Sequence, residues 1–344
     1  MRIAVYGATG FTGGFAVAEL HRRGIDPVLV GRDASRLRTA AAEAGIPEPD
    51  IRVAGLDDIP ALATAFAGCA AVVNCAGPFA LWGEPVVRAA IAAGCHYVDT
   101  SGEQHYIHEI LQRFGPDAER AGVTVVPALA DDGGPGDLIA HLTAARLPAV
   151  DELVIADLRL PGGVSRGTAR SMAGVFGRRA LEYTDDDWHP ASDSAPEPIV
   201  PPGEPNPVRV SGFGLPGVVT IPRHVRARAV RSAIRTEVAD LFTGLTPEVV
   251  DTIPVAVGEE ERRVSRWLML AEATAPDGSS ARGWVSGTDG YRLTGVIAVE
   301  GARRLAEGDA PTGARAPAEV FDPADFLDFL KSEDVDWQVD ITNG

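Results

Sequence analysis

Cysteine is scarce in this chain, and long apolar runs are missing. Only Cys69, Cys75 and Cys95 occur in 344 residues, and they form no Cys-x-x-Cys pair. A disulfide scaffold and a structural zinc site are therefore not expected, and we predict no metal. No stretch reaches the roughly 18 consecutive apolar residues of a membrane-spanning helix. We therefore expect a cytoplasmic protein without a secretory leader.

Positive charge is also in short supply. The chain has 31 Lys and Arg residues against 48 Asp and Glu residues, for a formal net charge of −17. Its mean field repels phosphate, which argues against nucleic acid or an anionic membrane as a partner. Any anionic ligand would have to be held by local arginines and backbone N–H groups. We expect a small-molecule substrate as the partner and allow for a homodimer.

Glycine and proline, with 38 and 26 residues, are abundant, and the length favours two domains. In the first half they separate strands from helices in regular alternation. Predicted strands cover residues 2–6, 28–30, 51–54, 70–74, 96–99 and 123–126. Predicted helices cover residues 12–23, 35–44, 60–66, 84–93 and 104–114, and glycines 24, 45 and 94 follow three of them. This alternation predicts an α/β fold with a doubly wound parallel sheet, a Rossmann domain.

A glycine-rich turn follows the first predicted strand. Residues 7–13 read Gly-Ala-Thr-Gly-Phe-Thr-Gly. Gly7 permits a sharp turn, Gly10 lets a pyrophosphate approach the backbone, and Gly13 lets the helix pack against the sheet. Such a turn can serve packing alone, but its place between a strand and a helix favours dinucleotide binding. The predicted contacts are Gly7, Thr9, Gly10, Phe11, Thr12 and Gly13.

The end of the second strand decides between the two nicotinamide coenzymes. An NAD site carries Asp or Glu there to accept from a ribose hydroxyl. This chain has Gly31 and then Arg32, whose guanidinium could bind a 2′-phosphate, with Ser35 and Arg36 adding to the pocket. In the alternative interpretation Arg32 is an ordinary surface residue and Asp33 accepts from the ribose. We predict NADP(H) as the cofactor.

Two later strand ends point to the same edge of the sheet. Because ligands of open α/β sheets bind beyond the carboxyl ends of the strands, small residues there leave room for ribose and nicotinamide. The predicted cofactor contacts at these ends are Asn74, Cys75, Ala76, Gly77, Pro78 and Ser101. Asp99 and Glu103 are either catalytic acids or simple helix caps.

Together these segments resemble the saccharopine dehydrogenase-like oxidoreductases. The resemblance lies in residues 7–13, 30–33, 73–79 and 94–103, and continues more weakly in residues 135–137, 165–171 and 321–327. It implies an N-terminal NADP-binding Rossmann domain and a second α+β domain that forms one wall of the substrate cleft. Family members reduce or form C–N bonds of amino-acid adducts, and a related branch is similar to enoyl reductases of lipid assembly.

One segment departs from the family pattern. After the sixth strand, members carry Gly-Phe-Asp-Ser-x-Pro-x-Asp, whereas residues 130–137 read Ala-Asp-Asp-Gly-Gly-Pro-Gly-Asp. The substrate type is therefore open. We predict domain limits of 1–140 for the Rossmann domain, 141–310 for the substrate or dimerisation domain, and 311–344 for a C-terminal segment that returns to the first domain.

The second half is less regular. We predict a strand at residues 153–160, a helix from Ser165 to about residue 183, and a proline-rich stretch at 184–222 that is either a lid or a surface excursion. Paired strands at 263–274 and 280–287 and helices at 290–306 and from Asp322 follow, the last of them packing on the first domain. Arg166 and Arg170 near a helix N-terminus either bind a substrate's anionic group or pair with acidic neighbours.

The candidate proton donors are Asp131, Asp132, His105 and His224. His105 and His108 lack the spacing and third ligand of a zinc site. The chain has no phosphate-binding-loop lysine and no Tyr-x-x-x-Lys pair. We predict an NADPH-dependent reductase of an imine; the alternatives are reduction of a C=C bond and a non-catalytic NADP-binding module.

Overall fold

The computed structural model describes residues 1–175, 178–192 and 196–342. They form two compact units, each assembled from separate stretches of chain. The first unit consists of Met1–Ser101, Glu109–Ala130 and Tyr291–Arg315, and the second of Gly102–His108, Asp131–Gly290 and Ala316–Gly344. The chain therefore passes from one unit to the other several times.

A parallel sheet of seven strands forms the centre of the first unit. Its strands are β1 (Arg2–Tyr6), β2 (Asp26–Gly31), β3 (Asp50–Val53), β4 (Ala71–Asn74), β5 (His96–Asp99), β6 (Thr124–Val126) and β14 (Gly313–Ala314). They lie in the order β14-β6-β5-β4-β1-β2-β3. Strand β4 is buried along its whole length, as a sheet covered on both faces requires. The predicted doubly wound α/β fold is confirmed.

Helices connect these strands. They are α1 (Phe11–Arg22), α2 (Ala34–Glu43), α3 (Ile59–Phe66), α4 (Phe79–Ala92), α5 (Gln104–Arg113), α6 (Gly115–Ala121) and, late in the chain, α13 (Gly290–Glu307). Gly24, Gly45 and Gly94 take the left-handed conformation predicted for helix ends, with φ of +68°, +75° and +68°. Helix α4 begins five residues before its predicted start, and helix α6 was not predicted.

The second unit contains a mixed sheet of eight strands. These are β7 (Val150–Asp157), β8 (Leu181–Thr184), β9 (Asp187–Pro190), β10 (Val210–Gly212), β11 (Ala227–Arg235), β12 (Arg266–Thr274), β13 (Ser280–Thr288) and β15 (Asp336–Thr342). Seven of them follow the order β15-β13-β12-β7-β11-β8-β9, and β10 pairs with β11. Only the β7–β11 pair is parallel within the part of this sheet that the structure describes.

Helices of the second unit surround this sheet. They are α7 (Gly134–Ala144), α8 (Arg166–Val175), α9 (Gly217–Thr220), α10 (Thr236–Thr243), α11 (Pro247–Thr252), α12 (Glu259–Val264), α14 (Pro317–Val320) and α15 (Pro323–Leu330), with 3-10 turns at Ile221–Arg223 and Lys331–Glu333. Helix α7 is buried along most of its length and contacts β12 and β13, so it forms the core on that face.

The helix predicted from Ser165 to residue 183 was too long. Helix α8 is shorter, and residues 181–184 form strand β8, which pairs with β9. Asp185 and Asp186 link these strands with φ of +52° and +66°, as in the two-residue hairpin turns that Asp and Asn favour. The proline-rich stretch at 184–222 therefore contains β9, β10 and α9 rather than one structureless excursion; its residues 193–195 lie outside the described chain.

The compact units differ from the predicted domain limits. Helix α13 belongs to the first unit, where Glu300 pairs at 2.5 Å with Arg23, the residue that follows α1, and a Cβ atom at Gly295 would lie only 2.8 Å from the Phe15 Cβ. The C-terminal segment from Ala316 belongs to the second unit, because β15 extends the sheet beside β13 and α15 packs on α7. Within the described ranges, no helix is long and apolar enough to cross a membrane.

We predict that Glu300→Gln destabilises the protein by about 3 to 5 kcal/mol. The Glu300 side chain is 1% exposed and binds Arg23, Arg303 and Arg304, so its neutralisation removes the carboxylate that these three partly buried guanidinium groups share. The free energy of unfolding from urea titration measures this loss. Glu307→Gln is the matched control: Glu307 is 53% exposed and pairs only with Arg303 among its described neighbours, so the change should be under about 1 kcal/mol. Equal losses in the two variants would contradict the prediction.

Candidate functional site

The turn between β1 and α1 excludes side chains at two glycines. Gly7 has φ of +83°, and a Cβ atom there would lie 2.9 Å from the backbone of Cys75 and Ala76. A Cβ atom at Gly13 would lie 2.1 Å from the Gly7 carbonyl oxygen, which also accepts from Gly10 N–H at 2.9 Å. This backbone cradle at the start of a twelve-residue helix fits a pyrophosphate, which binds N–H groups at a helix N-terminus.

The other predicted residues of the turn have separate places. Thr9 lies in the turn itself, and Thr12 in the first turn of α1, both partly exposed. The Phe11 ring packs against Phe15 and Tyr291, with ring centroids 5.2 and 5.0 Å apart. Phe11 therefore joins α1 to α13 within the first unit, a packing role that the sequence did not indicate.

The structure separates the roles of the two charged residues after β2. The Asp33 carboxylate caps α2 and accepts from Ser35 N–H at 2.8 Å and Arg36 N–H at 3.1 Å. Arg32 is exposed, and its guanidinium makes no hydrogen bond or ion pair with the residues that the structure describes. Gly31 lies against Leu37, which orients the start of α2. Arg32 is thus the residue at this strand end that is open to a ligand, whereas Asp33 serves the helix.

A buried hydrogen-bond network ties together the ends of β4 and β5. Asn74 donates to the Tyr97 hydroxyl at 3.0 Å, and that hydroxyl donates to Asp99 at 2.9 Å. The Asp99 carboxylate also accepts from Ser101 N–H at 3.0 Å and from its hydroxyl at 2.6 Å. Both Asn74 and Asp99 are fully buried. Asp99 therefore holds the strand ends in place, and its predicted roles as a catalytic acid or a helix cap stay predictions.

The same carboxylate also reaches the end of β6. Ala128 N–H donates to Asp99 at 3.0 Å, and Leu129 N–H donates to the Asp99 carbonyl oxygen at 2.7 Å. Ala128 has φ of +65°, an unusual conformation for a residue with a side chain. Asp99 thus fixes the path by which the chain leaves β6 towards Asp131.

The segment after β4 lies over the glycine turn. Asn74 accepts from Ala76 N–H at 3.0 Å, and Gly77 and Pro78 follow with a cis peptide bond between them. Burial raises the pKa of the Cys75 thiol to about 12, against a hydrogen bond with Thr100. This thiol is therefore protonated at neutral pH and is not suited to be a nucleophile.

The second unit holds an ionic cluster that includes both predicted aspartates. Arg159 contacts Asp157 at 2.6 Å and Asp131 at 3.4 Å. Burial, and then the negative charge of Asp131, raise the pKa of Asp132 to about 7, against the attraction of Arg159. A Cβ atom at Gly102 would lie 3.1 Å from an Asp132 carboxylate oxygen. Burial and the neighbouring carboxylate thus both favour the protonated form of Asp132.

The predicted histidines lie elsewhere in the second unit. His105 Nε2 is 2.8 Å from the Arg179 carbonyl oxygen. His224 is 6% exposed and lies between Asp137, at 2.9 Å from its Nε2, and His141, at 3.1 Å from its Nδ1. Burial would raise the pKa of Asp137, but attraction to His224 and its hydrogen bonds hold it below the usual value. The structure does not bring His105 and His224 into the ionic cluster of Asp131 and Asp132.

Both predicted substrate-binding arginines have partners on neighbouring segments. Arg166 Nε donates to the Ile253 carbonyl oxygen at 2.7 Å, and Arg170 lies 3.4 Å from Asp251. Ser165 caps α8 as predicted, by accepting from Thr168 N–H at 3.2 Å. These contacts join α8 to the region of α11, and an anion-binding role for the two arginines stays a prediction.

Sequence reasoning missed Asp157 and Arg159. Both stand at the end of β7, where alternate residues share one face, and the strand was predicted as merely half-buried. An Asp and an Arg two positions apart at a strand end are the signal that could have indicated them. Their partners Asp131 and Asp132 come from a distant part of the sequence, which periodicity cannot reveal.

Comparisons with known proteins agree with this geometry. Residues 3–126 match the family model described as the saccharopine dehydrogenase NADP binding domain. A saccharopine dehydrogenase-like oxidoreductase from Bos taurus is 29% identical over 228 residues, which cover 58% of this chain and 51% of that protein. A candidate trans-acting enoyl reductase from Mycobacterium tuberculosis is 32% identical over 185 residues, or 51% of this chain and 44% of that protein. The chain thus spans about half the length of these relatives.

The fold has a counterpart among solved structures. Apo saccharopine dehydrogenase (L-Glu forming) from Saccharomyces cerevisiae superposes with a TM-score of 0.65 and 14% identity, covering 98% of this chain and 99% of that one. At this identity the likeness concerns the fold alone. Residues 3–126, which include the glycine turn, thus form a domain of the saccharopine dehydrogenase NADP-binding family, and the chain is similar over 58% of its length to a saccharopine dehydrogenase-like oxidoreductase.

Proposed function

We propose that the protein is an NADPH-dependent reductase that transfers hydride to the imine carbon of a small amino-acid-like or biosynthetic intermediate. The observation that carries this proposal is Asp132, a carboxyl group whose pKa of about 7 suits proton donation to the nitrogen of a reduced imine. The matched NADP-binding domain supports the coenzyme half of the reaction.

The first unit would hold the coenzyme through its backbone and one guanidinium. The glycine turn of residues 7–13 would bind the pyrophosphate, and Arg32, with Ser35 and Arg36, would bind the 2′-phosphate. The strand ends at Asn74–Pro78 and Ser101 would line the ribose and nicotinamide. When bound, NADPH supplies the hydride.

Chain connectivity supports Asp132 as the proton donor. The chain leaves β6 at Val126, turns through Ala128 and Leu129, which Asp99 holds, and reaches Asp131 and Asp132 within a few residues. Gly102, which lies against Asp132, follows the end of β5 equally closely. Ligands of open α/β sheets bind beyond the carboxyl ends of the strands, and Asp132 follows one of these strand ends along the chain. His105 and His224, which have other partners, are weaker candidates.

A second candidate function is reduction of a C=C bond. The relative from Mycobacterium tuberculosis, named as a candidate enoyl reductase, favours it. The third interpretation, a non-catalytic NADP-binding module, predicts coenzyme binding without turnover.

A cytoplasmic location and a homodimer stay predictions. Cell fractionation would test the location, and light scattering would test the homodimer.

NADPH oxidation followed at 340 nm separates these functions. We expect turnover with a small cyclic imine such as 1-pyrroline and none with an α,β-unsaturated amide or thioester of similar size. Turnover with the unsaturated compounds alone would favour the enoyl branch. Tight coenzyme binding without oxidation by either set would favour the non-catalytic module.

We predict that Arg32→Ala weakens NADP⁺ binding about 10- to 100-fold and leaves NAD⁺ binding unchanged, because a charge-assisted hydrogen bond contributes about 1.5 to 3 kcal/mol. Isothermal titration calorimetry measures both affinities. Arg38→Ala is the matched control, since Arg38 is also exposed and lies further along α2. An unchanged NADP⁺ affinity in Arg32→Ala would remove the proposed coenzyme preference.

We predict that Asp132→Asn lowers the turnover number about 10²- to 10⁴-fold. In the parent protein the turnover number should fall as pH rises through about 7, since only the protonated carboxyl group donates, and in the variant this pH dependence should be absent. Because the folded pKa lies above the unfolded value of 3.8, the folded state binds the extra proton between these pH values. The free energy of unfolding therefore falls as pH rises through this window.

The same variant should consequently be more stable than the parent protein at pH 8, by about 1 to 3 kcal/mol, and no more stable at pH 4. Thermal unfolding at the two pH values measures this difference. Asp151→Asn is the control, because Asp151 pairs with Arg228 at the surface. A pH-independent stability difference, or full activity in Asp132→Asn, would refute the assignment of Asp132 as the acid.

A further inference from the structure

One buried donor of the second unit has no partner. The Trp267 side chain on β12 is 3% exposed, and its indole Nε1 has neither accessible surface nor a hydrogen-bond acceptor in the part of the chain that the structure describes. An unpaired buried N–H costs about 1 to 3 kcal/mol, so such a group calls for an explanation. The indoles of Trp188 and Trp337, in contrast, donate to Val218 and Asp328.

Strand register places Trp267 beside the ionic cluster. Strand β12 runs antiparallel to β7, with Met269 opposite Asp157, and Leu158 N–H donates to the Leu268 carbonyl oxygen at 2.8 Å. Continuing this register by two residues sets Trp267 opposite Arg159. Because side chains at alternate positions share a face, Trp267 lies on the face that carries Asp157 and Arg159.

Gly290 connects the indole to Asp131. A Cβ atom at Gly290 would lie 2.4 Å from an Asp131 carboxylate oxygen and 3.5 Å from Trp267 Cδ1, the carbon bonded to Nε1. The Trp267 indole and the Asp131 carboxylate therefore both lie beside Gly290. Asp131 is 14% exposed and Arg159 28%, so the cluster opens to solvent on their side.

The charges of the cluster limit what can bind there. Asp131 and Asp157 carry negative charge, Arg159 alone carries positive charge, and it already contacts both carboxylates. A carboxylate or phosphate ligand would face these like charges at close range, which costs free energy. The group that fits must be uncharged, must accept a hydrogen bond from the indole and must donate one to the carboxylate.

We propose that Trp267 Nε1–H and the Asp131 carboxylate form a binding subsite for a primary carboxamide. Its carbonyl oxygen accepts from the indole, which so gains a partner, and its NH₂ group donates to a carboxylate oxygen of Asp131. Assigning this amide to the substrate rests on the proposed function, whereas its binding does not. The subsite selects against the anionic group that Arg166 and Arg170 were predicted to bind.

Indole ¹⁵N–¹H spectra of the whole protein labelled at its five tryptophans test the subsite. Propionamide, propionate and propanol serve as probes of matched size. Each is titrated to about 100 mM, because fragments of this size bind weakly. We expect propionamide to move the Trp267 signal downfield, as a newly formed hydrogen bond does. The signals of Trp188 and Trp337 should not move, because their N–H groups are already paired.

Variants assign the signal and test the acceptor. The Trp267 signal is the one that disappears in Trp267→Phe. If that variant does not fold, the Trp267 signal is the one that shifts in Asp131→Asn, because Trp267 is the neighbour of Asp131. Asp131→Asn should also raise the dissociation constant of propionamide about tenfold, the effect of one hydrogen bond to a charged group. Asp151→Asn, at the surface, should leave it unchanged.

Several results would overturn the proposal. They are no shift with propionamide, an equal shift with propionate or propanol, and an unchanged dissociation constant in Asp131→Asn. A signal already downfield in the absence of any probe would mean that a resident water molecule pairs the indole.

Titration with NADP⁺ alone separates the sources of the amide. A Trp267 shift with NADP⁺ assigns the carboxamide to the coenzyme, and a shift only with propionamide assigns it to a second molecule. Because these spectra need no turnover, they are independent of the reductase assay.

Discussion

The buried carboxylate of Asp99 is the interaction on which the carboxyl edge of the first unit's sheet depends. It accepts from Tyr97, Ser101 and Ala128 and so joins the ends of β5 and β6, while Tyr97 extends the network to Asn74 on β4. The loops that follow parallel strands have no inter-strand hydrogen bonds to hold them in place. A fully buried acceptor with several donors supplies that rigidity, and a charge-assisted hydrogen bond is about twice as strong as a neutral one.

Sequence periodicity predicted the first unit well because its information is local. Apolar runs, glycine caps and the turn at residues 7–13 each lie within a few residues, and Arg32 is specified by its distance from Gly13. The second unit was harder to predict, since its sheet joins strands from distant parts of the chain. Strand β8 was taken for the end of a helix, although the Asp185–Asp186 turn carried a local signal for a hairpin.

The candidate site shows the same division. The sequence predicted Asp131 and Asp132 as candidate donors, but the raised pKa of Asp132 comes from its burial and from Asp131 beside it, which only the folded structure displays. The unpaired indole of Trp267 could not be predicted at all, because the absence of a partner is a property of the assembled structure. Likewise, His224 looked like an open loop residue until Asp137 and His141 appeared beside it.

The scattered composition of the first unit has a consequence for how the protein is made. Its sheet gains β14, and α1 gains the α13 helix whose Glu300 compensates Arg23, only from residues beyond 290. A ribosome that has released the first 130 residues has therefore produced a sheet with an uncovered β6 edge and an Arg23 that pairs with Glu19 but still lacks Glu300. The coenzyme-binding half is complete only when nearly the whole polypeptide has been made, and exposed edges of this kind favour aggregation during synthesis.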